Sequence, residues 1–296
     1  MTVTLHKPLP LLLITGIAFG CNFPLGKLAV AEGVNPALWA IVICLGAGLA
    51  LLAVTILAET APAVPGIFRY AAISGFISNV IPLFLTFAAI PHIGSGLAAI
   101  LVATSPVTTA LLSMILKVRP PNLLGLAGIG FGLAGAIVII IARNASFVGS
   151  DAHWLFLAAL IPVFLGFGNV YRTLAWPKGA GPMRLGAMVN LAAVIPLAAV
   201  AWLWSGIDLA PLLKVPALVV AQLAASTVMY LTFFRLQAVG GPTYLSQIGY
   251  VAAALSVAIG VTLLGEAYPA SVWAGVAVVA VGIALSTVAQ TRTPTG

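Results

Sequence analysis

Long apolar runs, interrupted by short clusters of Pro, Gly and charge, dominate the chain. A helix needs about 20 residues to cross the hydrocarbon core of a bilayer, and ten runs have that length: 8–31, 36–58, 66–90, 93–116, 122–142, 153–175, 181–205, 214–238, 242–265 and 270–290. The runs are apolar all round and rich in Ala, Leu and Gly. A membrane barrel would alternate apolar with polar residues, so the pattern predicts an all-α integral membrane protein with ten transmembrane helices. The opening "MTVTLHKPLPLLLITGIAFG" has the basic-then-apolar order of a signal peptide, but the apolar run continues through Ala29 and lacks a convincing small-x-small cleavage site. A retained first helix is expected.

Composition agrees. With 62% hydrophobic and 6% charged residues and a mean hydropathy of +1.21, the chain cannot cover itself with a water-soluble surface. The net charge of +7 comes from Lys and Arg scattered singly, without the patch that nucleic acid would need. They read as flanks of membrane spans. An even number of spans puts both termini on one side. If that side is cytoplasmic, Lys7, Arg69, Lys117, Arg119, Arg172, Lys178, Arg184, Arg235 and Arg292 lie inside, against Lys27, Arg143 and Lys214 outside, a bias of nine to three. The expectation is a multi-pass protein of the inner (cytoplasmic) membrane, surrounded by lipid. Cys21 and Cys44 lie in apolar runs without metal-ligand spacing. No disulfide framework, metal site or cofactor is indicated, and both thiols read as packing residues.

The chain also repeats itself. An offset of 146 lays "LTF" at 85–87 on "LTF" at 231–233, and an offset of 147 lays Asn22 on Asn169. Ten spans divide five and five about a polar connector, Arg143 to His153, giving units of 1–145 and 146–296. A unit with an odd number of spans must be followed by an inverted copy, and inverted repeats are the architecture of secondary transporters, whose substrate sites lie near the midplane where the halves meet. One chain then supplies both halves of a pseudo-dimer, so a monomer is expected.

Polar residues within the runs mark candidate positions. The first carries Asn22-Phe23-Pro24, where the proline frees a backbone carbonyl beside an amide. The third carries Asn79, Pro82 and Thr86 on one face, the fourth Thr104-Ser105-Pro106, the sixth Pro162, Asn169 and Tyr171, and the eighth Gln222, Ser226 and Tyr230 at i, i+4, i+8. In the ninth, Thr243, Gln247, Tyr250 and Ala254 follow helical spacing. A single polar residue would be structural; polar faces on six spans predict a shared aqueous cavity. The expected substrate-binding set is Asn22, Phe23, Asn79, Thr86, Thr104, Ser105, Asn169, Tyr171, Tyr230, Gln247 and Tyr250, with hinges at Pro24, Pro82, Pro106 and Pro162. Interhelical bonding is the alternative for Gln247, and a solvated position at headgroup level is expected for Glu266. Lys27 is expected to snorkel to the outer surface. The string "GFGLAG" (130–135) has the form of a dinucleotide fingerprint, but no strand precedes it, and close helix packing is expected instead.

The stretches "GIAFGCNFPLGKLA" (16–29), "GLAAILVATSPVTTALLSMIL" (96–116) and "YLSQIGYVAAALSVAIGVTLLGE" (244–266) resemble the drug/metabolite transporter superfamily, in particular its EamA-type ten-helix branch and, within it, YddG-type amino-acid exporters. The resemblance implies two inverted five-helix repeats around a central cavity and export of small metabolites. Such proteins commonly end the fourth span with an acid; here it ends in "KVRP" (117–120), which weakens a mechanism built on symmetric carboxylates. No Asp, Glu or His falls mid-span, so no proton relay is indicated. The function expected is gradient-driven transport of a neutral or zwitterionic small molecule, amino acids foremost, by alternating access without an obligatory proton. The alternatives are a proton-coupled exporter of drugs or nucleobases, and a channel. The enzyme motifs H-E-x-x-H and G-x-S-x-G do not occur.

Overall fold

The computed structural model describes residues 8–58, 64–118, 122–144 and 152–291. Every element among these is helical. Helix α1 (Pro8–Ala31) and α2 (Pro36–Ala58) are followed by α3 (Ile67–Gly75), a π-helical turn (Phe76–Val80) and α4 (Ile81–Ile93), which run on as one rod. Then come α5 (Ser95–Val102) and α6 (Ser105–Ile115), α7 (Leu123–Asn144), α8 (Ala152–Ala159) and α9 (Ile161–Leu174), and α10 (Pro182–Ser205). The short α11 (Ala210–Lys214) precedes α12 (Pro216–Ser246), α13 (Ile248–Thr262) and α14 (Ala270–Thr291). Eight helices or helix pairs are long and apolar enough to cross a membrane; the apolar stretches within α7 and α14, Leu123–Gly135 and Ala270–Gly282, are shorter. The polar connector and the end of "KVRP" fall largely outside the described residues.

Proline explains most of the interruptions. Pro82 has no N–H to return to the carbonyl of Ser78, and just before it the ladder widens: the N–H of Ile81 bonds to Phe76 O, five residues back. The wider turn inserts a residue into the helical register beside Asn79. The same missing donor accounts for the breaks at Ala103-Thr104, ahead of Pro106, and at Leu160, ahead of Pro162. Pro24, by contrast, lies inside a helix that runs unbroken from Pro8 to Ala31. The kink in α12 is at Gly241, whose φ of 72° only glycine adopts freely, followed by Pro242. Left-handed glycines turn the chain at Gly33 and Gly179, and again at Gly94 and Gly241.

The most extensive packing is between halves. Helix α2 lies against α10 and α12, α3 against α10, α1 against α12 and α13, α5 against α13, α6 against α9, and α7 against α14. The "GFGLAG" stretch is part of the last contact: a Cβ on Gly282 would lie 2.5 Å from Gly132 N, and one on Gly135 would lie 2.8 Å from Gly275 O. Small residues let these two backbones touch. Gly282→Ala should therefore lower stability by about 1–3 kcal/mol, the usual cost of overpacking. Gly130→Ala, with open space around the new methyl, should stay within about 0.5 kcal/mol of wild type. Thermal unfolding of the two purified variants checks the contrast.

Candidate functional site

Where the interrupted helices meet, a central cavity opens. Its wall is built by Phe19, Asn22 and Phe23 of α1, Ser78, Asn79, Pro82 and Thr86 of the π turn and α4, Ser105 of α6, Leu165, Asn169 and Arg172 of α9, Met229, Tyr230, Phe233 and Ser246 of α12, and Ile248 and Gly249 of α13. Both halves of the chain contribute. Of the eleven expected substrate-binding residues, Asn22, Phe23, Asn79, Thr86, Ser105, Asn169 and Tyr230 line it.

The amides are held by partners on other helices. Gln222 Nε2 donates to Asn22 Oδ1 at 2.5 Å, and Asn22 Nδ2 faces Met229 Sδ at 3.3 Å. Asn79 Nδ2 donates to Asn190 Oδ1 at 3.1 Å, and Asn169 Nδ2 to Thr109 Oγ1 at 3.2 Å. Thr86 Oγ1 turns back to the Pro82 carbonyl at 2.7 Å, the usual fate of a helix hydroxyl. A buried amide without such partners would be costly.

Four expected residues lie elsewhere. Thr104 Oγ1 bonds to Leu101 O at 2.7 Å across the helix break. Tyr171 stacks on Tyr70 with ring centroids 6.0 Å apart. Gln247 is buried at the join between α12 and α13, and Tyr250 is half-buried against the apolar core. The face traced through Thr243, Gln247, Tyr250 and Ala254 crosses that join, so helical spacing does not hold across it; Leu245, Ser246, Ile248 and Gly249 face the cavity instead. The side chain of Thr243 lies outside the described residues. Among the proposed hinges, Pro82 lines the cavity, and Pro106 and Pro162 each follow a break.

Charge brings the largest differences from expectation. Arg172, counted from sequence as an inner flank, is 2% exposed and lies on the cavity wall. Its Nε donates to Gln237 Oε1 at 2.8 Å and its Nη2 to Asn169 Oδ1 at 2.6 Å, while the guanidinium sits 5.0 Å from the Phe233 ring centroid. A signal was present: Arg172 lies one turn beyond Asn169, and apolar residues continue past it to Trp176. Ser78 Oγ is buried on the same wall without a hydrogen-bond partner.

Glu266 is not solvated at a headgroup. Its side chain is only 6% exposed and pairs with Lys27, Nζ to Oε1, at 2.8 Å. The same oxygen accepts from Ser95 N at 2.7 Å and Ser95 Oγ at 2.6 Å, and Oε2 accepts from Gly96 N at 3.0 Å and from the Tyr268 hydroxyl. The carboxylate thus caps the N-terminus of α5 and joins it to α1 and the end of α13. Lys27 reaches this acid instead of snorkelling outward.

A helical membrane protein with a cavity between its halves, largely apolar and set with a few amides, hydroxyls and one guanidinium, is the class that this geometry defines. Residues 6–141 match the model of the EamA-like transporter family. A solved structure described only as "Crystal structure of protein" is similar in fold, with a TM-score of 0.65 at 19% identity over 95% of this chain and 99% of its own. No curated protein sequence matches.

Burial raises the pKa of Glu266, but the hydrogen bonds from Lys27, Ser95, Tyr268 and Gly96 together outweigh it and bring the pKa from 4.5 down to about 2. Its stabilisation is therefore complete above pH 4.5 and is lost as pH falls toward 2. Glu266→Gln should cost about 1.5–3 kcal/mol, the range for hydrogen bonds to a charged group. The deficit should be constant at neutral pH and shrink below pH 4.5. Thermal melts of both proteins across pH check this, and a deficit that first shrinks between pH 7 and 6 would contradict it.

Proposed function

We propose that the whole chain is an EamA-like secondary transporter of the cytoplasmic membrane, with both termini inside, that exports small amphipathic metabolites, amino acids foremost, by alternating access. The observation that carries this reading is the cavity wall. Residues from both halves place amides (Asn22, Asn79, Asn169), aromatic rings (Phe23, Tyr230, Phe233) and one cation (Arg172) around a common space. Amides meet an ammonium or a carboxylate, and the rings accept an apolar side chain or the face of a cation. The narrower likeness to YddG-type amino-acid exporters belongs to this proposal and rests on the sequence stretches quoted above.

The halves, 1–145 and 146–296, are read as inverted five-helix repeats, making ten spans. Three observations support this. Four of the seven described left-handed glycines pair at offsets of 146 and 147, Gly33 with Gly179 and Gly94 with Gly241. The packing partners exchange under the same relation: α1 on α13 answers α9 on α6, and α2 on α12 answers α10 on α3. Asn22 and Asn169 then stand at corresponding places on the wall. Rocking of one half on the other would use the interruptions at Pro82, Pro106, Pro162 and Gly241.

The described lining residues include no Asp, Glu or His, and Glu266 is fully engaged, so the cycle is read as needing no obligatory proton. Counterflow tests this: liposomes with purified protein are loaded with unlabelled amino acid, and a labelled one is supplied outside at equal pH. The expected outcome is saturable accumulation that requires internal amino acid, with no concentration driven by a pH gradient alone. Exchange absent for every amino acid, from folded protein, would overturn the substrate class in favour of drugs or nucleobases. Accumulation driven by pH alone would overturn the mechanism, and unsaturable flux would indicate a channel.

A further inference from the structure

Arg172 is a buried cation that the described protein does not neutralise. Its partners are the amide oxygens of Gln237 and Asn169 and the face of Phe233. These are dipoles and a quadrupole, not a counter-charge. The one ion pair among the described residues is Lys27 with Glu266. A guanidinium has five N–H groups and remains protonated in proteins; here two of its nitrogens, Nε and Nη2, make the hydrogen bonds to protein. A desolvated charge in this condition is strongly unfavourable unless an anion joins it.

The surroundings fit an incoming oxyanion. Ser78 Oγ is buried, lines the cavity and has no partner. It shares with Arg172 the space in front of Gly168: a methyl group placed there would collide with Ser78 Oγ and lie 3.3 Å from Arg172 Nη1. Glycine at 168 therefore lets the Ser78 hydroxyl pack against the α9 backbone close to the guanidinium edge, and both side chains line the same cavity. Gln237 and Asn169 hold the guanidinium by two of its nitrogens, and Gln237 is itself fixed by Nε2 donating to Asn169 O at 3.2 Å.

Resting on the transporter reading above, we propose that Arg172 and Ser78 form a carboxylate subsite that receives the α-carboxylate of the transported amino acid. Charge selects this ligand. Among the described lining residues Arg172 is the only ionisable acid or base apart from Tyr230, and a carboxylate supplies the single counter-charge that the guanidinium lacks, whereas a phosphate dianion would bring one negative charge more than it can pair. Geometry agrees, because the planar fork of Arg matches the two oxygens of a carboxylate. The substrate's ammonium then turns to amide oxygens and aromatic faces, as no acid is present to take it.

The test extends the counterflow assay. Exchange of labelled phenylalanine and of labelled leucine is competed by the unlabelled amino acid, its carboxamide and its decarboxylated amine (phenethylamine or isoamylamine). In wild type, the amide and the amine should compete about 10- to 100-fold more weakly, the factor expected for loss of a charged hydrogen-bonding partner. Arg172→Gln should reduce exchange by at least about tenfold, and Arg172→Lys should recover part of it, since Lys keeps the charge but not the fork. Equal competition by the amide in wild type, or wild-type exchange in Arg172→Gln, would overturn the subsite while leaving the transporter reading intact. No exchange by wild type would instead overturn the reading on which the subsite rests.

A measurement on the unmutated protein covers the case in which Arg172→Gln does not fold. Phenylglyoxal modifies accessible guanidinium groups, and mass spectrometry of the peptide containing Arg172 reports its rate. Phenylalanine should slow that rate several-fold and phenethylamine should not. Equal rates with and without phenylalanine would overturn the proposal.

Discussion

Within a bilayer, a polar group that the protein does not satisfy finds no water to satisfy it. That constraint organises the molecule. It forces the backbone into helices, and it forces the polar side chains that the helices carry to find one another. Thr15 Oγ1 donates to Thr232 Oγ1 at 2.7 Å, Asn79 joins Asn190, and Gln222 joins Asn22. Each of these bonds connects the first half of the chain to the second. The same constraint makes proline informative: where Pro82, Pro106 and Pro162 remove a backbone donor, the ladder widens or breaks. Those interruptions border the cavity, the region where a neighbouring hydroxyl, amide or solute can take up the freed valence.

Two charged residues show the constraint met in opposite ways. Glu266 is saturated, with a lysine, a serine hydroxyl, a tyrosine and two backbone N–H groups around one carboxylate. It behaves as a structural tie among α1, α5 and the end of α13, and its depressed pKa keeps it charged at any physiological pH. Arg172 is held but not neutralised. Its place on the cavity wall is what the proposed carboxylate subsite rests on.

The helices were legible from residue pattern alone, since an apolar run of crossing length has few other fates; even the "GFGLAG" stretch reads correctly as a packing face. The polar positions of α1, the π turn and α4 were legible for a similar reason: Asn22, Asn79 and Thr86 are polar residues within otherwise apolar runs, and such residues turn toward protein. Gln247 and Tyr250 were not, because the join at Gln247 breaks the helical spacing that related them. Arg172 was hidden by its position near the end of a run, where a basic residue usually marks the membrane surface. The sequence signal, its place one turn beyond Asn169, is weak beside that rule, and the packing of Gln237 and Phe233 around it shows that the chain folds it inward. Glu266 and Lys27 are 239 residues apart, and no local pattern joins them.

The central claim is that the cavity between the halves is the path of the solute and opens to each side in turn. The most direct measurement is thiol accessibility of a Ser105→Cys protein from which the two native cysteines, Cys21 and Cys44, have been replaced by alanine. A membrane-impermeant maleimide is applied to proteoliposomes from one side and then, in a separate preparation, from the other. The account predicts labelling from both sides, slowed by a transported amino acid. Labelling from one side only, or labelling indifferent to the amino acid, would contradict it.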